Sequence, residues 1–161
     1  MGCASAKPLQ LQRLAGSGAA NEVRILLEQG VSPDFIDPLT DRTALHWASV
    51  GGHCQVIELL LSHGANINAV DSDGNTPLSL ASQSYRVDAV IALINAGADL
   101  TRKYQSGLSI FLWELKRGHE DVCKLLVDKG VNLYEKDETG KLPLHVAAEV
   151  GFIVCCLRIS G

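Results

Sequence analysis

The side chains best suited to acid–base or metal chemistry are His46, His145 and the adjacent pair His53 and Cys54. Nucleophilic catalysis needs an activated hydroxyl or thiol with a base held beside it by a third group. No such partner is spaced for either His46 or His145. The chain contains no G-x-S-x-G elbow, no glycine-rich phosphate loop and no H-E-x-x-H pair. His53 and Cys54 lack two further ligands at zinc spacing, and Cys155-Cys156 is vicinal rather than C-x-x-C. The expectation is therefore a chain with no catalytic residue, no metal and no cofactor. A different chemistry is open to the N-terminus, MGCASAK. Gly2 and Cys3 stand where myristoyl and palmitoyl groups would go, although Ala6 occupies the place usually held by Ser or Thr. One acyl chain binds membranes only marginally, so Cys3 would have to carry the second.

The totals narrow the classes further. Hydrophobic residues make up 47% of the 161 and charged residues 20%, which describes a globular chain with a core. A formal net charge of −4 argues against a general nucleic-acid binder. Five cysteines without framework spacing, and no secretory signal, fit a reducing interior, cytoplasm or nucleus. No apolar run approaches the roughly 20 residues needed to span a bilayer. A membrane enters only if the N-terminus is acylated, and then at the cytoplasmic face.

The elements that must position these residues repeat. TALHWASVGGH begins at Thr43, TPLSLASQSYR at Thr76, SIFLWELKRGH at Ser109 and LPLHVAAEVGF at Leu142, each 33 residues after the last. The opening Thr or Ser can cap a helix, and Pro77 and Pro143 suit its first position. Leu45, Leu78, Phe111 and Leu144 begin an apolar stripe, joined three places on by Ala48, Ala81, Glu114 and Ala147. Glu114 marks the third copy as divergent. The first helix stops at Gly52, Tyr85, Gly118 and Gly151; a second amphipathic helix ends at Gly64, Gly97 and Gly130. A turn glycine follows at Gly74, Gly107 and Gly140. Residues 8–36 repeat the pattern at an offset of 34, with the extra residue placed in the linking hairpin.

TALH, TPLS and LPLH, with GANIN and GADLT, resemble the ankyrin repeat, and the resemblance runs from Pro8 to Gly161. It implies an all-α solenoid of helix-turn-helix units joined by β-hairpin-like loops. The expected division is a tail over 1–7, a degenerate N-terminal repeat over 8–36, repeats over 37–70, 71–103 and 104–136, and an incomplete repeat over 137–161. The resemblance also implies that His46 and His145 bond backbone between neighbouring units, and that the chain is an adaptor, scaffold or inhibitor. In size it is similar to the ankyrin-repeat inhibitors of cyclin-dependent kinases, though no residue selects that subfamily. Two alternatives are a membrane-tethered regulator and an N-terminal part of a larger multidomain protein. The apolar end around Phe152–Leu157 offers a surface for self-association.

At 100° per residue, positions 47 and 50 point away from the second helix. Their occupants across the copies are Trp47, Leu80, Trp113 and Val146, then Val50, Gln83, Lys116 and Glu149. The third full unit adds Arg102, Lys103, Tyr104 and Arg117, a basic and aromatic cluster on an acidic chain. The expected partner-binding residues are accordingly Trp47, Val50, Leu80, Arg102, Lys103, Tyr104, Trp113, Lys116 and Arg117. The expected partner is a protein with an acidic segment.

Overall fold

The computed structural model describes residues 6–104 and 107–152. Gly2, Cys3, Cys155, Cys156 and most of the apolar end expected to self-associate lie outside the described residues. Among the described residues there are nine helices: α1 (Ala6–Ser17), α2 (Ala20–Glu28), α3 (Ala44–Gly51), α4 (Cys54–Ser62), α5 (Pro77–Gln83), α6 (Val87–Asn95), α7 (Ile110–Arg117), α8 (Glu120–Asp128) and α9 (Pro143–Glu149). The first helix thus begins at Ala6, inside the segment expected to be a tail. They form two compact units, Met1–Ala98 with α1–α6 and Asp99–Gly161 with α7–α9.

The helices after α1 run only seven to nine residues. Such lengths are marginal in water, so capping and packing must hold them. At α5 the Thr76 Oγ1 accepts from Ser79 N–H at 3.2 Å while Thr76 N–H donates to Ser79 Oγ at 2.9 Å, and Pro77 fills the first turn. At α3 the return bond comes from Thr43 N–H to His46 Nδ1, 3.1 Å. Leu142 has no hydroxyl to offer at α9, yet its N–H still reaches His145 Nδ1 at 3.2 Å. Each second helix closes with the same pair of bonds, as at Gly64 N–H to Leu61 O and Ala65 N–H to Leu60 O. Gly64 supplies the left-handed residue there, φ 82°. The first helices end on a left-handed residue too, and Tyr85 at φ 58° takes the slot after α5 that Gly52, Gly118 and Gly151 hold in the sister copies.

In the first unit α1 packs on α3 and α3 on α5, while α2 packs on α4 and α4 on α6. Leu11, Leu45, Val23, Ile57, Leu60 and Leu93 are at most 1% exposed. Full burial of each such side chain contributes about 1.5–3 kcal/mol. Side chains at the start of the second helix reach back one repeat. His53 Nε2 meets Gly16 O at 3.0 Å, and Arg86 Nε donates to Val50 O at 3.1 Å. In the second unit α7 packs on α8 and α9 around Phe111, Leu112, Leu115, Val122 and Leu126. Of the four stripe leaders, Leu45, Leu78 and Phe111 are buried and Leu144 is half-buried.

The linking loops project as tight turns. Asp71 N–H donates to Asn75 O, Tyr104 N–H to Leu108 O and Asp137 N–H to Lys141 O, all at 2.9 Å. The first turn runs from Asp37 N–H to Arg42 O, 3.0 Å, and so holds one residue more. Asp41, φ 53°, takes the left-handed slot that Gly74 fills in the next turn. Strand pairing among the described residues is limited to one bridge, Lys103 with Ser109.

Candidate protein-interaction surface

In the first unit, Trp47 projects from α3 and is half-buried. It forms one wall of a groove of about 510 Å³ whose other lining residues are Leu9, Gln12, Arg13, Gly16, Ser17 and Asp37. Three features fix this geometry. The buried Gln12 amide donates to Phe35 O and Arg42 O, both at 2.9 Å, and so ties the first turn to α1. Asp37 folds onto its own turn, accepting from Leu39 N–H and Thr40 Oγ1–H at 3.0 Å each. The Arg42 guanidinium lies over the Trp47 ring at 5.1 Å and donates through Nε to Asp71 Oδ2 at 3.1 Å. The Asp71 side chain is fully enclosed. Burial pushes its carboxyl up, but bonds from Asn75 N–H, Arg42, the Asn75 amide and Asp73 N–H outweigh this and leave it below the usual range.

In the same register of the second unit Trp113 is also half-buried, but its ring faces are in contact with other side chains. Tyr104 stacks on Trp113 with ring centroids 4.8 Å apart and planes 12° from parallel. The Arg117 guanidinium lies over the Trp113 ring at 4.6 Å. Lys116 Nζ sits 3.0 Å from Asp137 and 3.3 Å from Glu138. The Asp137 bond raises the Lys116 amine above its usual value; burial works against this, and Glu138 adds to the rise. Asp137 is held well below the usual carboxylate range, first by the Thr139 hydroxyl and, against a smaller burial effect, by Lys116 and the N–H groups of Lys141 and Thr139. Lys103 pairs with Glu135 at 2.5 Å and Arg102 with Asp99 at 3.8 Å.

These contacts correct part of the sequence reading. Leu80 is 6% exposed and Tyr104 7%, so both belong to packing rather than to a contact face. Position 80 lies on α5 where it packs against α3, and Tyr104 turns its ring inward onto Trp113. Val50 is half-buried and its carbonyl is used by Arg86. Arg102, Lys103 and Lys116 are exposed, but each carries an ion pair, so the cluster is not a bare cationic face. Exchanging Lys116 for Glu would crowd three carboxylates and disturb the unit itself.

Sequence reasoning missed Gln12 and Arg42, saw Asp71 only as part of an acidic turn tip, and missed that Glu114 pairs with His119. Glu114 is 0% exposed in the alanine slot and meets His119 Nδ1 at 2.5 Å. Its signal was the broken alanine pattern; the partner five residues on was not noticed. His46 is likewise structural: it is 0% exposed, with Nε2 3.2 Å from Asn75 O in the next repeat. Burial holds its imidazole below the usual value. His145 is exposed. No group of three or more His, Cys, Asp or Glu among the described residues could hold a metal ion.

Residues 11–104 match the family described as ankyrin repeats (3 copies), and residues 113–153 match ankyrin repeats (many copies). The chain belongs to the ankyrin repeat family. A Fowlpox virus ankyrin repeat protein is 30% identical over 133 residues, 83% of this chain and 93% of the viral protein. Ankyrin repeat and SOCS box protein 6 of Mus musculus is 35% identical over 107 residues, 65% of this chain but 26% of that protein. E3 ubiquitin-protein ligase KEG of Arabidopsis thaliana is 29% identical over 152 residues, 92% of this chain and 9% of the ligase. The chain therefore spans about a quarter of the first of these last two relatives and under a tenth of the second. Ankyrin repeats are protein–protein interaction modules and typically non-catalytic, and the fold class is the all-α helical repeat. Among the described residues no helix is long and apolar enough to cross a membrane.

Proposed function

We propose that this ankyrin chain is a non-catalytic recognition module, an adaptor, scaffold or inhibitor, that holds a polypeptide in the Trp47 groove of its first unit. One observation carries the reading: two half-buried tryptophans share a register, and Trp47 walls an open groove while Tyr104 and Arg117 stack on Trp113. A half-buried indole with a cation above it is a pre-organised anchor site for an apolar side chain, and aromatic residues in such sites dominate binding energies. In the Arabidopsis E3 ubiquitin-protein ligase the matching stretch is a small share of the protein, which fits a recognition part within a larger whole. Neither Cys54 nor Cys123 is in a disulfide, in keeping with a reducing compartment.

The test is a displayed library of random 12-residue peptides panned on the intact chain. Enriched peptides should lose about ten-fold or more in affinity for Trp47→Ala, with the far-UV circular dichroism unchanged. Trp113→Phe should leave them unaffected. Peptides indifferent to Trp47→Ala, or no enrichment at all, would overturn the proposal.

A further inference from the structure

The turns of the first unit carry a second surface beside the groove. Leu39 at the tip of the first turn is 90% exposed, Ile36 is 53% and Val70 is 39% exposed. Ile36 and Val70 occupy equivalent places, each immediately before the aspartate that opens its turn. In the second unit the same place holds Lys103 and Lys136. The two apolar-edged turns are fixed side by side. Ser72 N–H and Oγ–H both donate to Thr40 O at 3.1 Å, and Asn66 N–H donates to Asp34 Oδ1 at 2.8 Å. Three aliphatic side chains are thus held outward on rigid turns, a patch of the kind that marks a contact site.

The charge around this patch is one-sided. Residues 32–42 and 66–75 contain five aspartates, Asp34, Asp37, Asp41, Asp71 and Asp73, and one arginine, Arg42, a net −4. That equals the formal charge of the whole chain, so the remaining residues sum to zero. Arg42 is already held by Asp71, and Asp34, Asp41 and Asp73 are exposed. Asp37 lines the Trp47 groove as well as the first turn, so patch and groove are continuous.

We infer that the occupant of this surface is a basic polypeptide segment, with aliphatic side chains on Ile36, Leu39 and Val70 and Lys or Arg facing the aspartates. The inference rests on the proposed function and supplies the partner's chemistry, with the opposite sign to that read from the sequence. Complementary charge selects among occupants by steering the right one and repelling the others. Anionic lipid and nucleic acid are repelled by a surface of net −4. A second copy of this chain is disfavoured too, because its candidate basic face, Arg102, Lys103 and Lys116, is already ion-paired.

Three labelled 12-residue peptides titrated against the intact chain by fluorescence anisotropy decide the matter. One carries Leu and Ile among Lys and Arg, one has the same aliphatics among Glu, and one has the same Lys and Arg among Ser. The first should bind about ten-fold or more tighter than either other, and weaken several-fold between low and high salt. Leu39→Ser and the double change Asp41→Asn with Asp73→Asn should each weaken it about five-fold or more. Asn keeps the left-handed residue at position 41 and the turn at 73. Equal or tighter binding of the Glu peptide, or indifference to both variants, would overturn the inference. Library peptides that need Trp47 but carry acidic residues would sink this inference and leave the proposed function standing. Basic, aliphatic binders indifferent to Trp47→Ala but sensitive to Leu39→Ser would do the reverse.

Discussion

Replacing His46 by alanine should be far more damaging than the same change at His145, although both occupy one motif slot. His46 is fully buried and serves two repeats at once. Its Nδ1 takes the N–H of Thr43, itself 2% exposed, and its Nε2 meets Asn75 O. In His46→Ala the Thr43 N–H loses its acceptor in a place closed to water, at about 1–3 kcal/mol. Asn75 O keeps its bond from Asp71 N–H, so the loss on that side is small. Adding the lost packing of the ring, the first unit should lose about 2–4 kcal/mol. His145 is exposed and, among the described residues, its ring makes one bond, from Leu142 N–H, so His145→Ala should cost under about 1 kcal/mol. Ser79 does the capping half of the histidine's work and lacks the cross-repeat half, so His46→Ser should fall between. Urea unfolding reads the difference, with Trp113→Phe leaving Trp47 to report the first unit and Trp47→Phe leaving Trp113 for the second. At a slope of roughly 1–3 kcal/mol per molar, the midpoint should move by about 1–2 M for His46→Ala. The same residue sets a pH dependence. Burial lowers its folded value below the reference 6.5, so its stabilisation is complete above 6.5 and is lost as pH falls through the folded value. The slope is at most about 1.4 kcal/mol per pH unit for one proton, and His46→Ser should remove it. Equal costs at His46 and His145, or unchanged stability of the first unit between pH 7 and 5, would refute this account of the slot.

Three further outcomes follow from the packing. Tyr85→Gly should stabilise the first unit by about 1 kcal/mol in the same urea assay, because an exposed tyrosine at φ 58° carries a left-handed penalty that glycine avoids. His119→Ala should destabilise the second unit by about 2 kcal/mol by stripping a buried carboxylate of a short bond, and adding Glu114→Ala should recover most of it, since Ala48, Ala81 and Ala147 fill that slot elsewhere. A double-mutant cycle with no coupling would exclude the pair as a unit. Asp71→Asn should flatten the acid limb of the first unit's stability: the lowered carboxyl contributes fully above the usual 3.8 and loses that contribution as pH falls below it, a change acid titration of Trp47 fluorescence would follow.

The helices were legible because each copy solves the same burial problem with the same letters. A stripe led by Leu45, Leu78 and Phe111 must meet its neighbours, and a glycine or its stand-in must turn the chain at fixed offsets. Even the exceptions were marked: Tyr85 stood in a glycine slot, and the extra residue of the first copy fell in its turn. Partners across loops carried no such mark. Lys103 and Glu135 are 32 residues apart, and Lys116 and Asp137 are 21 apart. Composition therefore reported a basic cluster where the fold had already neutralised it. The two tryptophans show the limit most sharply. Trp47 on α3 and Trp113 on α7 have the same identity and register, and both are half-buried, as the sequence pattern's equal treatment of them implied. What separates them is the residue that opens their own turn. Asp37 bends back to accept from Leu39 and Thr40 and leaves its indole walling a groove; Tyr104, in the same slot, lays a ring over its indole at 4.8 Å. A carboxylate is satisfied most readily by the nearest N–H and hydroxyl groups, whereas a buried phenol ring gains most by covering apolar surface. The choice between an indole that walls a groove and one covered by a stacked ring thus lies one turn away from the aromatic residue on which the eye first settles.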